Sequence, residues 1–266
     1  MIKGIGFTHE KFYFPTGEMQ VRIKEAYGDK RMSVHFLFEQ NEEIFELLLI
    51  VDALKRMGLK LEGIAMPYIP FSRQDRINQG GEALSIKIFA DLINQCGAEV
   101  VEVDDPHSDV STALINNLKV RTQVDIHEKN MVFATNGKPV WFISPDAGAL
   151  KKIYKMAEKN KAIGVVECSK KRNTTTGEIT GVEVHIDSFN GKDCVIVDDI
   201  CDGGKTFIEI AKILKQKDAG KITLMVTHGF FTKGLEVFDG LIDEIYTREG
   251  FVQKTDKNAY IGGKYV

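Results

Sequence analysis

One stretch, residues 195–206, does most to limit what this chain can fold into. It opens with an apolar run of strand length and continues with acids, glycines, a lysine and a threonine: Asp198, Asp199, Asp202, Gly203, Gly204, Lys205 and Thr206. From Phe207 onward the apolar residues recur with the period of a helix. A strand, a glycine turn and a helix start together form an anion site, because the first helical N–H groups have no partner inside the helix. The stretch therefore predicts a phosphate-binding turn.

The acids before the glycines refine that prediction. Carboxylates repel phosphate, so Asp198 and Asp199 fit better as acceptors for sugar hydroxyls or as ligands of a magnesium ion that accompanies phosphate. The combination indicates a sugar phosphate. A Walker A loop is excluded, because its first glycine would stand where Asp199 stands. An ordinary strand-to-helix turn, with acids near the helix start, remains the alternative explanation.

Composition describes a globular chain with an ample core: 266 residues, 43% of them hydrophobic, and a net charge of −3. There is no long basic block, so nothing indicates a nucleic-acid partner or an anionic membrane surface. Residues 1–14 hold no apolar run of signal-peptide length, and no segment has the length of a membrane span. We therefore expect a cytoplasmic protein. The 4 cysteines are widely spaced, which favours reduced, buried thiols over a zinc site or disulfides.

Predicted strands alternate with predicted helices of 10–15 residues, a pattern typical of mainly parallel sheets with right-handed crossovers. The alternation starts afresh near Val140. We therefore predict two α/β domains, residues 1–130 and residues 131–266. Residues 111–129 are interpreted as a short helix and a connector. Residues 167–179 are polar and threonine-rich without periodicity, and they are interpreted as a mobile loop.

Polar loops follow the predicted strand ends around Arg73, His107, Asp146 and Asp202. In open α/β sheets, ligands bind outside these ends. Each loop also has an ordinary explanation, such as a helix N-cap for Asp146 or a solvated charged turn for Arg73. Together they fit polyphosphate transfer, with magnesium held by His107 and Asp146 and with cations from Arg73 and the basic run at 170–172.

These segments resemble the ribose-phosphate pyrophosphokinases (PRPP synthetases). The resemblance extends over most of the chain and rests on segments that occur in the family's order: 14–18, 41–54, 67–76, 105–107, 144–148, 170–172, 197–206 and 226–229. It implies an α/β fold of two phosphoribosyltransferase-like (type I) domains, each a mainly parallel sheet flanked by helices. It also implies at least a homodimer, because the family's adenine loop is completed by a neighbouring subunit.

The resemblance further implies a reaction and its residues. The β,γ-diphosphate of ATP would move, with Mg²⁺, to the 1-hydroxyl of a ribose 5-phosphate-type acceptor, giving PRPP or a PRPP-like product and AMP. Lys170 and Arg172 would be catalytic, and His107 and Asp146 would be linked to the metal. The implied ATP-binding residues are Phe14, Thr16, Glu18, Arg73, Gln74, Asp75 and His107. The implied ribose-phosphate residues are Asp198, Asp199, Asp202, Gly203, Gly204, Lys205 and Thr206.

Two departures from the family pattern bear on the acceptor. The family's phosphate loop usually reads D-T-G/A-G-T, whereas this chain has Gly203 in place of the hydroxyl residue and Lys205 in place of a glycine. More space and more positive charge suit a larger or more anionic group, so ADP-ribose is an alternative acceptor. Thr16, which replaces the usual acid of the adenine loop, leaves nucleotide selectivity open. A phosphoribosyltransferase and a non-catalytic regulatory homologue are further alternatives.

Overall fold

The structure is a computed structural model that describes residues 1–27, 31–172, 179–248 and 250–254. For residues 170–172, 179–180 and 250–254 it describes the backbone but not the side chains. The chain divides into two compact units, and the second begins at Thr122.

The division between the units falls after Arg121, not after residue 130 as predicted. The reason is a helix that begins at Gln123 and that the sequence interpretation treated as a connector. Its apolar residues Met131 and Ala134 pack in one cluster with Phe142 of the second unit. The helix therefore belongs to the second unit.

The first unit is a five-stranded sheet with helices and a separate hairpin. In chain order its elements are β1 (Ile2–Ile5), β2 (Phe7–Tyr13), β3 (Met19–Ala26), β4 (Arg31–Phe36), α1 (Glu42–Arg56), β5 (Lys60–Ala65), α2 (Ser85–Cys96), β6 (Val100–Asp104), α3 (Asp109–Leu114) and β7 (Leu118–Arg121). The sheet order is β1-β4-β5-β6-β7. All neighbours are parallel except β1, which is antiparallel to β4. The mainly parallel sheet confirms the predicted fold class.

The hairpin β2–β3 is fastened to helix α1 by a buried carboxylate. Glu46 of α1 accepts a hydrogen bond of 2.6 Å from Lys11 Nζ, and its other oxygen lies 3.2 Å from Nε2 of His9. The first of these bonds raises the pKa of Lys11, with the charge of Glu46 adding to it. A short two-stranded ribbon is only marginally stable in isolation, so this anchor helps to fix where its tip lies within the unit.

The second unit is built on a seven-stranded sheet. In chain order its elements are α4 (Gln123–Thr135), β8 (Val140–Ser144), α5 (Leu150–Lys159), β9 (Ala162–Arg172), β10 (Ile179–Val184), β11 (Cys194–Cys201), α6 (Lys205–Gln216), β12 (Ile222–Gly229), a 3₁₀ turn (Glu236–Phe238), β13 (Glu244–Thr247) and β14 (Gly250–Lys254). The sheet order is β10-β9-β8-β11-β12-β13-β14. The inner neighbours are parallel, and the outermost strands β10 and β14 are antiparallel.

Both faces of this sheet are covered, which explains the unbroken apolar run of β11. Ile196 packs in a cluster with Leu214 of α6, whereas its neighbours Val195 and Val197 pack in a second cluster with Ile153 of α5. Alternate residues of a strand point to opposite faces, so a strand covered on both sides needs apolar residues at every position.

The sequence interpretation was wrong about two segments. The polar composition predicts a loop over residues 167–179, but β9 runs through Arg172 and pairs with β10, which starts at Ile179, and residues 173–178 lie outside the described part of the chain. Residues 111–129 hold β7 and the start of α4 in addition to a short helix. Polar residues are tolerated in an outer hairpin where solvent reaches one side, so polarity alone did not exclude a strand.

Candidate active site

The predicted phosphate turn follows β11 and leads into α6. Gly204 has φ +76, the left-handed region that glycine adopts without penalty. A Cβ atom at Gly204 would lie 2.4 Å from Cζ of Phe238, whose side chain is fully buried. Helix α6 starts at Lys205, so Lys205 and Thr206 occupy its first turn, where backbone N–H groups have no partner within the helix. The turn therefore presents amides and a lysine, as an anion requires.

The paired acids lie just before this turn. Oδ1 of Asp198 accepts a hydrogen bond of 2.9 Å from the N–H of Asp199, and Asp199 is buried. Asp198 keeps partial solvent contact, but the protein packed around it desolvates its carboxylate. That desolvation, then the charge of Asp199 and, less strongly, that of Asp146, raises the pKa of Asp198 well above its ordinary value. The three carboxylates thus crowd one place in the second unit.

Asp146 comes from the loop between β8 and α5. Its Oδ1 accepts hydrogen bonds from the backbone N–H groups of Gly148, at 3.0 Å, and Ala149, at 3.3 Å. Its own carbonyl accepts a bond of 2.8 Å from the hydroxyl of Ser144. The residue therefore closes a turn at the helix start, and its charge also bears on Asp198. The structural and the ligand-binding interpretation of Asp146 are compatible, since one oxygen holds the turn.

A segment after β12, residues 230–234, packs against the phosphate turn and was not foreseen. The N–H of Phe230 donates to the carbonyl of Cys201 at 2.8 Å, and the hydroxyl of Thr232 donates to Oδ1 of Asp202 at 2.7 Å. Cγ of Lys233 lies 3.2 Å from the point where a Cβ of Gly203 would stand. The missing side chain of Gly203 thus leaves room that the stem of Lys233 uses. Sequence gave no signal for this contact, because it joins residues thirty positions apart.

In the first unit, two predicted loops meet at the carboxyl ends of β5 and β6. The side chain of Asp75 is only 7% exposed, and its Oδ1 lies 2.9 Å from Nε of Arg76. The Arg76 hydrogen bond, a contribution from Ser108 and the charge of His107 together lower the pKa of Asp75 against the opposing effect of burial. The structure therefore brings Asp75 and His107 close together, while Arg73 and His107 remain exposed to solvent.

The hairpin tip carries the predicted residues Phe14, Thr16 and Glu18. The N–H of Phe14 donates to the carbonyl of Glu18 at 2.9 Å, and the N–H of Gly17 donates to the carbonyl of Phe14 at 2.8 Å. The Thr16 hydroxyl donates to Glu18 at 2.5 Å. Phe14 stacks edge-on against Phe12, with ring centroids 5.8 Å apart, yet remains 48% exposed. The tip is a closed turn with an aromatic face open to solvent.

The remaining predicted positions stay predictions. The side chains of Lys170 and Arg172 lie outside the described residues, although the backbone of both belongs to β9. His107 and Asp146, the predicted metal ligands, belong to different units. Within the described ranges, no three His, Cys, Asp or Glu side chains form a ready metal cage.

Other expectations concern cysteines and membranes. All 4 cysteines are buried free thiols, as the spacing predicted, and burial raises the pKa of Cys201 to about 12. None of the helices in the described part of the chain has the length and apolar character needed to span a membrane.

Comparison with known proteins gives consistent matches over both units. The family model for the N-terminal domain of ribose phosphate pyrophosphokinase matches residues 7–97, and the phosphoribosyl transferase domain matches residues 124–239. The ribose-phosphate pyrophosphokinase of Mycoplasmopsis pulmonis is 30% identical over 244 residues, covering 88% of this chain and 74% of the relative. The enzyme of the same name from Pyrococcus furiosus is 32% identical over 237 residues, covering 87% and 82%.

A solved structure extends the match to the fold. The crystal structure of phosphoribosylpyrophosphate synthetase from Mycobacterium smegmatis superimposes with a TM-score of 0.76 at 22% identity, covering 91% of this chain and 80% of that one. The match confirms the predicted α/β fold with mainly parallel sheets and domains of phosphoribosyltransferase type.

Proposed function

This chain belongs to the ribose-phosphate pyrophosphokinase family and is a diphosphokinase-type transferase. From that premise we propose that it moves the β,γ-diphosphate of ATP to the 1-hydroxyl of ribose 5-phosphate. The acceptor oxygen bonds to the β-phosphorus as the bond from that phosphorus to the bridging oxygen of the α-phosphate breaks. The hydroxyl proton is released, and the products are PRPP and AMP. The observation that carries the proposal is the turn that joins β11 to α6, with the paired acids before it and the first-turn N–H groups of α6 after it.

The acceptor is assigned to that turn in the second unit. The 5-phosphate would bind the N–H groups at the start of α6 with the ammonium of Lys205, because both carry positive charge where a phosphate needs it. Asp198 and Asp199 would accept hydrogen bonds from the ribose hydroxyls. Carboxylates at this point also keep a bare phosphate from binding in the sugar position, since like charges repel.

ATP is assigned to the loops of the first unit. The exposed face of Phe14 suits stacking against a flat base, and the exposed Arg73 and Gln74 offer donors to phosphate oxygens. Asp75 pairs with Arg76 in the same loop, and the charge of His107 acts on Asp75. Lys170 and Arg172 would stabilise the charge that develops on the transferring group, as the family resemblance implies.

We expect Mg²⁺ to bind at the acids of the second unit together with substrate phosphates. A site formed by protein ligands alone fits this ion less well. Mg²⁺ in such sites is held by one or two carboxylates together with substrate phosphates. Burial, then the charges of Asp199 and Asp146, raise the pKa of Asp198, and a bound divalent ion would offset the repulsion among these carboxylates. Asp146 and Asp198 would hold the ion together with substrate phosphates, and His107 of the first unit stays a separate prediction. When bound, it neutralises negative charge on the transferring phosphates.

The test is an assay with ATP and Mg²⁺ that follows AMP release with ribose 5-phosphate as acceptor. Formation of AMP and PRPP in equal amounts is the expected result. Absence of AMP with any acceptor would refute the transferase proposal and leave a regulatory homologue. Size-exclusion chromatography with light scattering tests the expected homodimer or higher oligomer in the same preparation, and cell fractionation tests the expected cytoplasmic location.

A second candidate acceptor, ADP-ribose, is favoured by the composition of the phosphate turn. Gly203 has no side chain, Lys205 stands at the helix start, and the stem of Lys233 passes beside Gly203. Two lysines near one turn suit a 5-substituent with more charge than a single phosphate. The product would be ADP-ribose 1-diphosphate.

Side-by-side assays with the two acceptors separate these candidates. If ADP-ribose is the acceptor, its kcat/KM exceeds that of ribose 5-phosphate, and replacing Lys205 and Lys233 with alanine reduces that preference. Lys212→Ala, on the exposed face of α6, is the control for a loss of positive charge elsewhere. Equal or better use of ribose 5-phosphate by the wild type would exclude the ADP-ribose proposal.

A further inference from the structure

Helix α4 buries a polar stripe, which is unusual for a helix that packs on a sheet. Gln123, His127 and Asn130 are 3%, 0% and 6% exposed. Their spacing of four and three residues places them on one face of the helix. Buried polar side chains destabilise a fold unless each is hydrogen-bonded. The hydrogen-bond partners of these three residues therefore indicate the role of the stripe.

Each member of the stripe reaches a different strand of the second unit's sheet. Nε2 of Gln123 donates to the carbonyl of Asp198 on β11, at 3.0 Å. Nε2 of His127 lies 3.2 Å from the hydroxyl oxygen of Thr227 on β12. Nδ2 of Asn130 donates to the carbonyl of Thr247 on β13, at 2.8 Å. These strands are consecutive neighbours, so the helix binds across the carboxyl end of the sheet, one residue to a strand.

The hydrogen bonds of the stripe are connected to one another. Nδ2 of Asn130 also lies 3.0 Å from Nδ1 of His127. An amide nitrogen donates, so Nδ1 accepts and the ring proton is on Nε2, which donates to Thr227. The stripe is thereby fixed in one arrangement, and Gln123 is held at the end nearest the paired acids.

Strand β11, which carries those acids, is paired with only one neighbouring strand at Asp198. The pairing of β11 with β8 ends at Ile196, whereas its pairing with β12 continues to Cys201. Asp198 therefore lies beyond the part of β11 that is paired on both sides. Hydrogen bonds to β12 alone hold its backbone less firmly than pairing with two strands would. Gln123 binds the carbonyl of Asp198, while the carboxylate of the same residue binds the N–H of Asp199.

We propose that Gln123 is a positioning residue of the acceptor site, which holds the Asp198 peptide so that the carboxylates of Asp198 and Asp199 face the sugar hydroxyls. The inference rests on the proposed function of those acids as acceptor ligands. Gln123 touches neither substrate. It acts through the backbone, and its loss changes the direction of carboxylates that remain chemically intact.

The experiment compares two variants of the same stripe, Gln123→Leu and Asn130→Leu. Both remove a buried hydrogen bond to a strand carbonyl, but only Gln123 is bonded to Asp198. Gln123→Leu is expected to raise the KM for ribose 5-phosphate about tenfold, the equivalent of one buried hydrogen bond, and to leave the KM for ATP within about twofold. Asn130→Leu is expected to lower the melting temperature about as much as Gln123→Leu does. It should leave the KM values for ribose 5-phosphate and for ATP unchanged.

Equal increases of the acceptor KM in both variants would show a general structural role and overturn the proposal, as would an unchanged KM in Gln123→Leu. Gln123→Met, which has nearly the same length and volume but no donor, replaces the leucine variant if that variant fails to fold, and the same KM increase is expected. Titration calorimetry with ribose 5-phosphate measures acceptor binding without turnover. A wild type that binds acceptor but releases no AMP refutes the proposed reaction alone, and the Kd of each variant then decides the positioning role.

Discussion

Gly204 provides the sharpest test of the phosphate turn, because alanine at this position has two separate costs. The left-handed backbone, with φ +76, costs an L-residue about 1–2 kcal/mol. The new Cβ would stand 2.4 Å from Cζ of the buried Phe238, and relief of such overpacking costs about 1–3 kcal/mol. Gly204→Ala should therefore lower the free energy of unfolding by about 2–5 kcal/mol.

Trp141, the only tryptophan, lies on β8 and reports on the unfolding of the second unit. Urea denaturation followed by its fluorescence measures the loss directly. Gly203→Ala is the matched control. Its φ is not positive, and its nearest neighbour is the flexible stem of Lys233 at 3.2 Å, so we expect a change within about 0.5 kcal/mol. Equal losses in the two variants, or a loss below about 1 kcal/mol at Gly204, would refute the steric argument.

The other predictions concern catalysis, charge and metal. Lys170→Ala should lower kcat at least about 100-fold and leave the Kd for ribose 5-phosphate, measured by calorimetry, unchanged. Turnover close to that of the wild type would show that Lys170 is not catalytic. Glu46→Gln should destabilise the protein at neutral pH. Because Glu46 raises the pKa of Lys11 above 10.5, the pair's contribution is complete below pH 10.5 and is lost as the pH rises through the raised pKa. The difference in urea midpoint between wild type and variant should therefore shrink in that alkaline range, and a growing difference would contradict this sign. Chelation with EDTA should abolish AMP release, and added Mg²⁺ should restore it.

The phosphate turn could be predicted from the sequence because its determinants are local. An apolar strand, a glycine in a left-handed turn and a helix start follow one another within residues 194–216, and each has its own residue preference. The same holds for the loops around Arg73, His107 and Asp146, which the structure finds after β5, β6 and β8 as expected.

Helix α4 could not be predicted from apolar periodicity, because its buried face is partly polar. Gln123, His127 and Asn130 look like surface residues until the strand ends that they bind are known. The capping interactions between Thr122 and Asp125 were the one local signal of a helix start, and they would have moved the domain boundary to its observed position. The contact of Lys233 with Gly203 depends on tertiary structure alone.

The buried carboxylate of Glu46 also favours one register of the strands in the hairpin β2–β3. His9 and Lys11 are two positions apart, so they project from the same face of their strand and reach Glu46 together. Slippage of the pairing by one residue would turn both away and leave a carboxylate buried with no counter-charge. Such slippage would also move the strand residues that lead into the tip, such as Phe12, to the opposite face of the ribbon. A single acid in helix α1 thus selects one alignment of the ribbon that carries Phe14 at its tip.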